Sequence, residues 1–290
     1  MIDLHIHSSL SDGACSVEEI LDLANKANLS CISITDHNHA LAYEEPSKFN
    51  GFMGHILPGC EIATSYNGFI IEILGLGINP SVINAWYRNF YSEENLKKNE
   101  IYLFNKLKNL CIKENLKLDT NITMDKIKKG YCKRLIYENL IKYMENMEQN
   151  ELKSFHDFFR HGLSNPENPL FLNEAETYPQ LLEVVNLIHK AKGRAFLAHP
   201  FEYGFSNVLE TAEEILKLAP LDGIECFHPS ASIYESNKLT DLCRAHFLYI
   251  SGGSDFHSFK RNTRVGLSSG NQPVKDEMIL PWVSKNMLLK

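Results

Sequence analysis

The sequence has little of what would mark a secreted, membrane-bound or nucleic-acid-coating protein. Its seven cysteines, Cys15, Cys31, Cys60, Cys111, Cys132, Cys226 and Cys243, include no C-x-x-C pair. An odd, unpatterned set argues against a disulfide framework and a thiolate zinc site, and implies mostly small buried thiols. No apolar run approaches the ~18–20 residues that span a bilayer and no targeting signal precedes the first strand, so a cytoplasmic location is expected. Internal repeats and low-complexity tracts are absent. So is any surplus of basic charge: the formal net charge is −7, which argues against bulk binding to a nucleic-acid backbone. The charge is unevenly spread, because residues 97–142 hold twelve Lys or Arg against five Asp or Glu. That segment reads either as a solvated helical surface or as a basic cap over a phosphate-binding cleft.

What is present is an ordinary globular mixture, 44% hydrophobic and 22% charged over 290 residues, enough to bury a sizeable core. Strand candidates at 2–7, 31–35, 55–62, 69–75, 194–198, 222–226 and 247–251 alternate with helical stretches, as in a mostly parallel α/β fold. Ser16 and Glu19 form a capping-box pattern ahead of Ile20, Leu23, Ala24 and Ala27 at helical spacing. Thr177, with Pro179 in the first turn, predicts a second helix start. From about 81 to 170 the alternation stops. Residues 93–116 and 133–161 read as helices, with Leu96, Ile101, Phe104, Leu107, Leu110 and Cys111 as an apolar stripe. The expected organisation is therefore a body of residues 1–80 and 171–290 carrying a helical insertion, 81–170.

The chemistry begins in IDLHIHSSLSDG, residues 2–13, where His5 and His7 share one face of a strand. Two core histidines would each need a buried partner, whereas a pair converging on one point suits a metal ion. Further clusters close other strands: Asp36 with His37, Glu61, His199, Glu225 with His228, and Asp255 with His257. In a parallel α/β body the carboxyl ends of the strands lie at one face, so these groups are expected to meet around one pocket. Imidazole and carboxylate without sulfur suit Mn²⁺, Fe²⁺ or Zn²⁺ in a multinuclear site. A carboxylate such as Glu61 can bridge two ions at the ~3.5–4 Å used in two-metal hydrolysis, so the expected chemistry is hydrolysis by a metal-held hydroxide.

H-x-H, S-D-G, T-D-H, P-G-x-E, A-H-P and S-D-x-H together resemble the PHP superfamily, named for polymerase and histidinol phosphatase domains. The placement of the insertion is similar to a branch of nucleoside 3′,5′-bisphosphate phosphatases and enzymes that trim RNA from its 5′ end. The resemblance implies a distorted (β/α)₇, TIM-like barrel with two or three divalent ions. His5, His7, Glu61 and Asp255 would hold the first ion, Glu61 and His199 the second, and Asp12, His37 and His257 the third. An aspartate at position 12 favours the nucleotide-acting branch over the histidinol phosphatases. Three departures stand out: Glu72 occupies the place of a usual histidine, Ala231 that of another, and Lys133, Arg134 and Leu135 replace an Arg-Pro-His stretch.

The implied reaction is in-line attack on phosphorus in a small phosphorylated substrate, a nucleotide or short RNA, with the third ion or His228 assisting the leaving oxygen. Lys133 or Arg134 would clamp a second phosphate and Arg264 could approach one, although a solvated loop arginine explains Arg264 somewhat better. His39 reads as a neighbour of the site. His55, His156, His161, His189 and His246 read as structural or surface residues, and Glu225 as a ligand or a strand-end polar group. Alternatives are a histidinol-phosphate-type phosphatase, an amidohydrolase-like metal hydrolase, and a non-enzymatic module binding metal or RNA.

Overall fold

The computed structural model describes residues 1–289 except 147, 149, 262, 279 and 280. The chain divides into two compact units, one of Met1–Tyr87 with Tyr178–Lys290 and one of Arg88–Thr177. The helix Pro80–Phe90 runs across the first boundary, so the unit begins later than the helical stretch read from position 81.

The first unit is mixed α/β. Strands β1 (Ile2–Ile6), β2 (Cys31–Ile34) and β3 (His55–Ile56) form a parallel three-stranded sheet. Strands β4 (Gly59–Tyr66), β5 (Phe69–Leu76), β6 (Arg194–Leu197), β7 (Gly223–Phe227) and β8 (Tyr249–Gly252) form a second sheet in sequence order. These are two open sheets, not one ring of parallel strands, and β5 runs antiparallel to both β4 and β6. The cause is local: Asn67 and Gly68, with φ 46° and 83°, make the tight turn that folds β5 back on β4. Predicted strand 55–62 accordingly divides into β3 and β4 at Leu57 and Pro58.

Isolated bridges, Ile6 to Phe256 and His37 to Glu61, tie the two sheets together where the strand ends carry the histidines. Helix α1 (Val17–Lys26) starts on the Ser16–Glu19 capping box and buries Val17, Ile20, Leu21 and Ala24. Helices α6 (Leu181–Lys190), α7 (Val208–Leu218) and α8 (Ile233–Ala245) add Val185, Ile188, Ile215 and Leu239 to the core that holds Ile6, Ile34, Ile62 and Ile224. Helix α6 begins after Gln180 rather than at Thr177, because the Pro179 carbonyl accepts from Ser65 N at 2.9 Å and Thr64 Oγ1 at 2.8 Å. All seven cysteines are buried free thiols.

The second unit begins with the end of α2 (Pro80–Phe90), followed by α3 (Glu93–Lys113), α4 (Tyr131–Leu140), the single turn α5 (Phe155–Asp157) and a π-turn at Phe158–Leu163. Leu103, Phe104, Leu107 and Cys111 of α3 pack with Cys132, Ile136 and Leu140 of α4; Ile101, expected in this stripe, is exposed. The predicted helix 133–161 is interrupted after Leu140, whose carbonyl accepts at 2.8 Å from the buried Asn146 amide. No described helix is long and apolar enough to cross a membrane.

Candidate metal centre

All five residues of β1 are buried, so the period-2 alternation sends His5 into the interior and His7 follows on the same face. Gly253 lets the segment after β8 pass against β1, since a Cβ there would lie 2.4 Å from His5 N. Asp255 N then donates to His5 O at 2.8 Å, and His7 N to Phe256 O at 2.9 Å, bringing Asp255 and His257 beside the histidine pair. His199 and Asp255 both hold positive φ, 23° and 48°. Such strain in non-glycine residues costs roughly 1–3 kcal/mol and concentrates where function fixes the backbone.

Glu61, on β4, is the hub. Its Oε1 lies 2.8 Å from His199 Nε2 and 3.2 Å from His5 Nε2, while Oε2 lies 3.1 Å from His37 Nδ1 and 3.3 Å from His7 Nε2. Asp255 Oδ1 is 3.1 Å from His7 Nε2 and 3.3 Å from His5 Nε2. Half-exposed Asp12 stands 3.2 Å from His257 Nε2 and 3.6 Å from His37 Nε2. Glu72 on β5 places one oxygen 3.3 Å from His37 Nδ1 and the other 3.4 Å from His199 Nε2. The groups whose donor atoms converge include His5–His7–Asp255, His5–Glu61–His199, His37–Glu61–Glu72 and His7–Asp12–His37–His257.

The hydrogen-bond network fixes which imidazole nitrogens can ligate. His5 Nδ1 is 3.0 Å from the Glu225 carboxylate and donates to it, leaving Nε2 for the centre. His257 Nδ1 donates to the Asp255 carbonyl at 2.9 Å, again leaving Nε2. His228 is the reverse: Ser230 N donates to its Nδ1 at 3.1 Å, so the proton sits on Nε2. His39 has both nitrogens engaged, Nε2 with Leu10 O at 3.1 Å and Nδ1 with Leu41 N at 3.4 Å, which excludes it as a ligand in this arrangement.

Burial would lower the His5, His7 and His199 imidazoles, but the surrounding carboxylates outweigh it, carrying His5 well above its ordinary value and His7 and His199 up to about 9. Burial would raise Glu61 and Asp255; the imidazoles around them hold both well below the usual carboxylate range. Burial, then the charge of Glu61, raises Glu72 to about 7. The donor set fits divalent metal: the Nε2 atoms of His5, His7 and His199 converge on the Glu61 and Asp255 carboxylates, and His5 and His7 turn theirs to within 3.1 Å of each other.

Lys133 is buried on α4 of the second unit, paired with Glu174, and Arg134 stacks 4.1 Å from the Phe155 ring. Arg264 is exposed in a cleft of about 490 Å³ with Phe256, Phe259 and Arg261. His189 pairs with Asp222 at 2.7 Å; His55, His156, His161 and His246 are exposed. Sequence reasoning placed Glu225 and Asp36 at the pocket but not in their supporting roles. Glu225 orients His5 and accepts from His199 N at 2.9 Å, while Asp36 accepts from Ser8 N, Ser8 Oγ and Ser11 Oγ at 2.6–2.8 Å and so ties down the loop that presents Asp12. The T-D-H motif was the available signal for Asp36.

The family model described as PHP domain matches residues 3–228. The chain belongs to the PHP domain family. The match contains every member of the cluster except Asp255 and His257, which the fold brings to the same PHP centre. Among relatives, the 5′–3′ exoribonuclease Rnm of Escherichia coli is 26% identical over 88% of this chain and 84% of its own. The 3′,5′-nucleoside bisphosphate phosphatase of Chromobacterium violaceum is 26% identical over 89% and 87%. Two solved structures share the fold. One, from Chromobacterium violaceum, described as an amidohydrolase with bound sulfate and no metal, has a TM-score of 0.63 and 23% identity over 96% of this chain and 95% of its own. The other, from Bifidobacterium adolescentis and described by inference as a metal-dependent phosphoesterase, has a TM-score of 0.62 and 20% identity over 98% and 97%.

Proposed function

We propose that this chain is a metal-dependent phosphoesterase that hydrolyses a phosphomonoester of a nucleotide, either a nucleoside 3′,5′-bisphosphate or a 5′-phosphorylated oligonucleotide. The observation that carries the reading is Glu61, a buried carboxylate whose two oxygens each face a different pair of imidazoles. The nucleotide and RNA activities named for the relatives support the substrate class. The body is read as a distorted (β/α)₇ barrel of which the two sheets are arcs.

His5, His7, Glu61 and Asp255 would hold one ion, Glu61, Glu72 and His199 a second, and Asp12, His37 and His257 a third. Nitrogen and carboxylate donors without sulfur suit Mn²⁺, Fe²⁺ or Zn²⁺, and Glu72 hardens the set. Bound there, divalent ions supply positive charge against the phosphoryl oxygens and acidify water for attack. The chain's own residues do the rest. His228 presents its Nε2–H, buried and without a hydrogen-bond partner, as a hydrogen-bond donor to the leaving oxygen. Ser230, whose N–H and hydroxyl lie 3.1 and 2.7 Å from Nδ1, keeps that tautomer in place. Exposed Arg264 offers a planar fork to a further phosphate.

The test is phosphate release by chelated protein reconstituted with Mn²⁺, using adenosine 3′,5′-bisphosphate, a 5′-phosphorylated short RNA, histidinol phosphate and an aryl phosphate. Metal-dependent turnover favouring either of the first two is expected. Metal-loaded protein that releases phosphate from none of the four overturns the reading.

A further inference from the structure

A second concave surface adjoins the metal centre and is used by none of the residues above. It is a cleft of about 530 Å³ whose lining includes Phe201, Phe205, Val208, Leu209, Tyr234 and Lys238. Its connection to the centre is covalent as well as spatial. Phe201 lies in the turn Pro200–Glu202, immediately after His199, and Glu202 Oε1 is 3.8 Å from His228 Nδ1. From His199 a chain of rings leads outward: Tyr203 at 5.4 Å, Phe205 a further 5.4 Å, then Phe69 at 5.3 Å. Across the cleft, on α8, Tyr234 is 69% exposed, and Lys238 Nζ stands 5.3 Å from its ring centroid.

Tyr234 and Phe69 are exposed, Phe201 and Phe205 half-buried, beside a site built to handle phosphate, and the volume is in the range of small-molecule pockets. Two of the polar neighbours are already engaged. Glu235 accepts from Ser232 N at 2.7 Å in the α8 cap, and the Asn207 amide is held by Glu210 at both ends, at 3.3 and 3.0 Å. Among the residues lining the cleft, aromatic faces, one ammonium and the Ser206 hydroxyl are left to meet a ligand, and no free side-chain amide is left to read the hydrogen-bonding edge of a base.

We infer that this cleft is a nucleobase subsite, in which the base of a substrate whose phosphate lies at the metal centre stacks on Tyr234 and Phe201 while Lys238 faces its sugar–phosphate. The inference rests on the nucleotide reading and adds that recognition is by stacking, tolerant of base identity. The base has two possible sources, a mononucleotide or the end of a strand.

The test compares KM on Mn²⁺-loaded protein for the four nucleoside 3′,5′-bisphosphates, baseless ribose 3,5-bisphosphate and a 5′-phosphorylated short RNA. Ribose bisphosphate is expected to show a KM about tenfold higher, with the four bases within about threefold of one another. Tyr234→Ala should collapse that preference and Tyr234→Phe should retain it; an exposed side chain makes misfolding of either variant a minor concern. Equal KM with and without a base, or a preference untouched by Tyr234→Ala, overturns the subsite. Calorimetric binding of adenosine against ribose needs no turnover. Adenosine binding weakened by Tyr234→Ala upholds the subsite even where no phosphate is released, and equal binding rejects it even where phosphate is released. An added loss on RNA alone from Phe69→Ala assigns the base to a strand; no such loss assigns it to a mononucleotide.

Discussion

In the second unit, Glu100 and Lys133 are both buried and both answered nearby: Glu100 accepts from Gly130 N and Cys132 N at the start of α4, and Lys133 pairs with Glu174. In the first unit, His7 Nδ1, His199 Nδ1 and His228 Nε2 are buried with no hydrogen-bond partner, and every other described buried side-chain polar atom without one also belongs to that unit. A carboxylate on the free N–H groups of a helix start completes a structural need. Imidazoles crowded around shared carboxylates, several nitrogens unanswered, leave the need open for a ligand. The contrast separates charge that holds a fold from charge that waits for chemistry, so substitutions in the two places should be read by different instruments.

The largest effect is expected from Glu61→Gln. The amide loses the charge shared by four imidazoles, and Mn²⁺-dependent phosphate release should fall by about a thousandfold, together with bound-metal content. Circular dichroism should stay that of the parent, since the β4 backbone is unaltered. A variant retaining both metal and turnover would remove Glu61 from the centre. The counterpart is Leu107→Ala in the second unit. Leu107 is fully buried in the α3–α4 core, so its loss should cost about 2–5 kcal/mol in denaturant unfolding while metal content at the centre is unchanged. Loss of metal in that variant would show that the two units do not respond independently.

The sequence made the site more legible than the strand topology, for physical reasons. H-x-H obeys local alternation, so the convergence of His5 and His7 could be read from spacing, as could Ser16 and Glu19 at the α1 cap, while Asp255 and His257 were legible through the S-D-x-H motif. The antiparallel β4–β5 pair was written in Asn67-Gly68, a turn signal masked by the expectation of parallel strands. The end of α4 was not legible: it depends on the Asn146 side chain reaching both Leu140 O and Lys117 O, at 2.8 and 2.7 Å. The role of Glu225 was hidden too, because it lies in the direction of His5 Nδ1, a partner 220 residues away.

The same comparison predicts opposite pH responses with and without metal. In chelated protein, carboxylate neighbours hold His7 and His199 at about 9, against an unfolded value near 6.5. Their pairing therefore contributes stability that is complete below about 6.5 and is lost as pH rises through about 9, on the order of 3 kcal/mol for each imidazole. Metal binding requires the same imidazoles to lose their protons, so the stabilisation from Mn²⁺ should grow over that window. The melting-temperature gap between Mn²⁺-loaded and chelated protein should widen from pH 6.5 to 9; a constant or shrinking gap would detach these histidines from the metal.

Glu225→Gln sharpens the comparison at its finest point, because Glu225 is buried like Glu100 and also serves backbone, yet faces the open centre. It accepts from His5 Nδ1 and from His199 N, so an amide can satisfy one donor and must turn its NH₂ toward the other. Loss of the carboxylate also removes the charge that makes His5 a better ligand. Metal affinity should fall about 10–100-fold, the range found when an orienting carboxylate behind a ligating histidine is removed. With Mn²⁺ raised to saturation, kcat should recover most of its parental value, which distinguishes a positioning group from one that touches the reacting atoms. A kcat that stays depressed at saturating metal would make Glu225 part of the reaction itself, and unchanged affinity would make it, like Glu100, charge that only holds the fold.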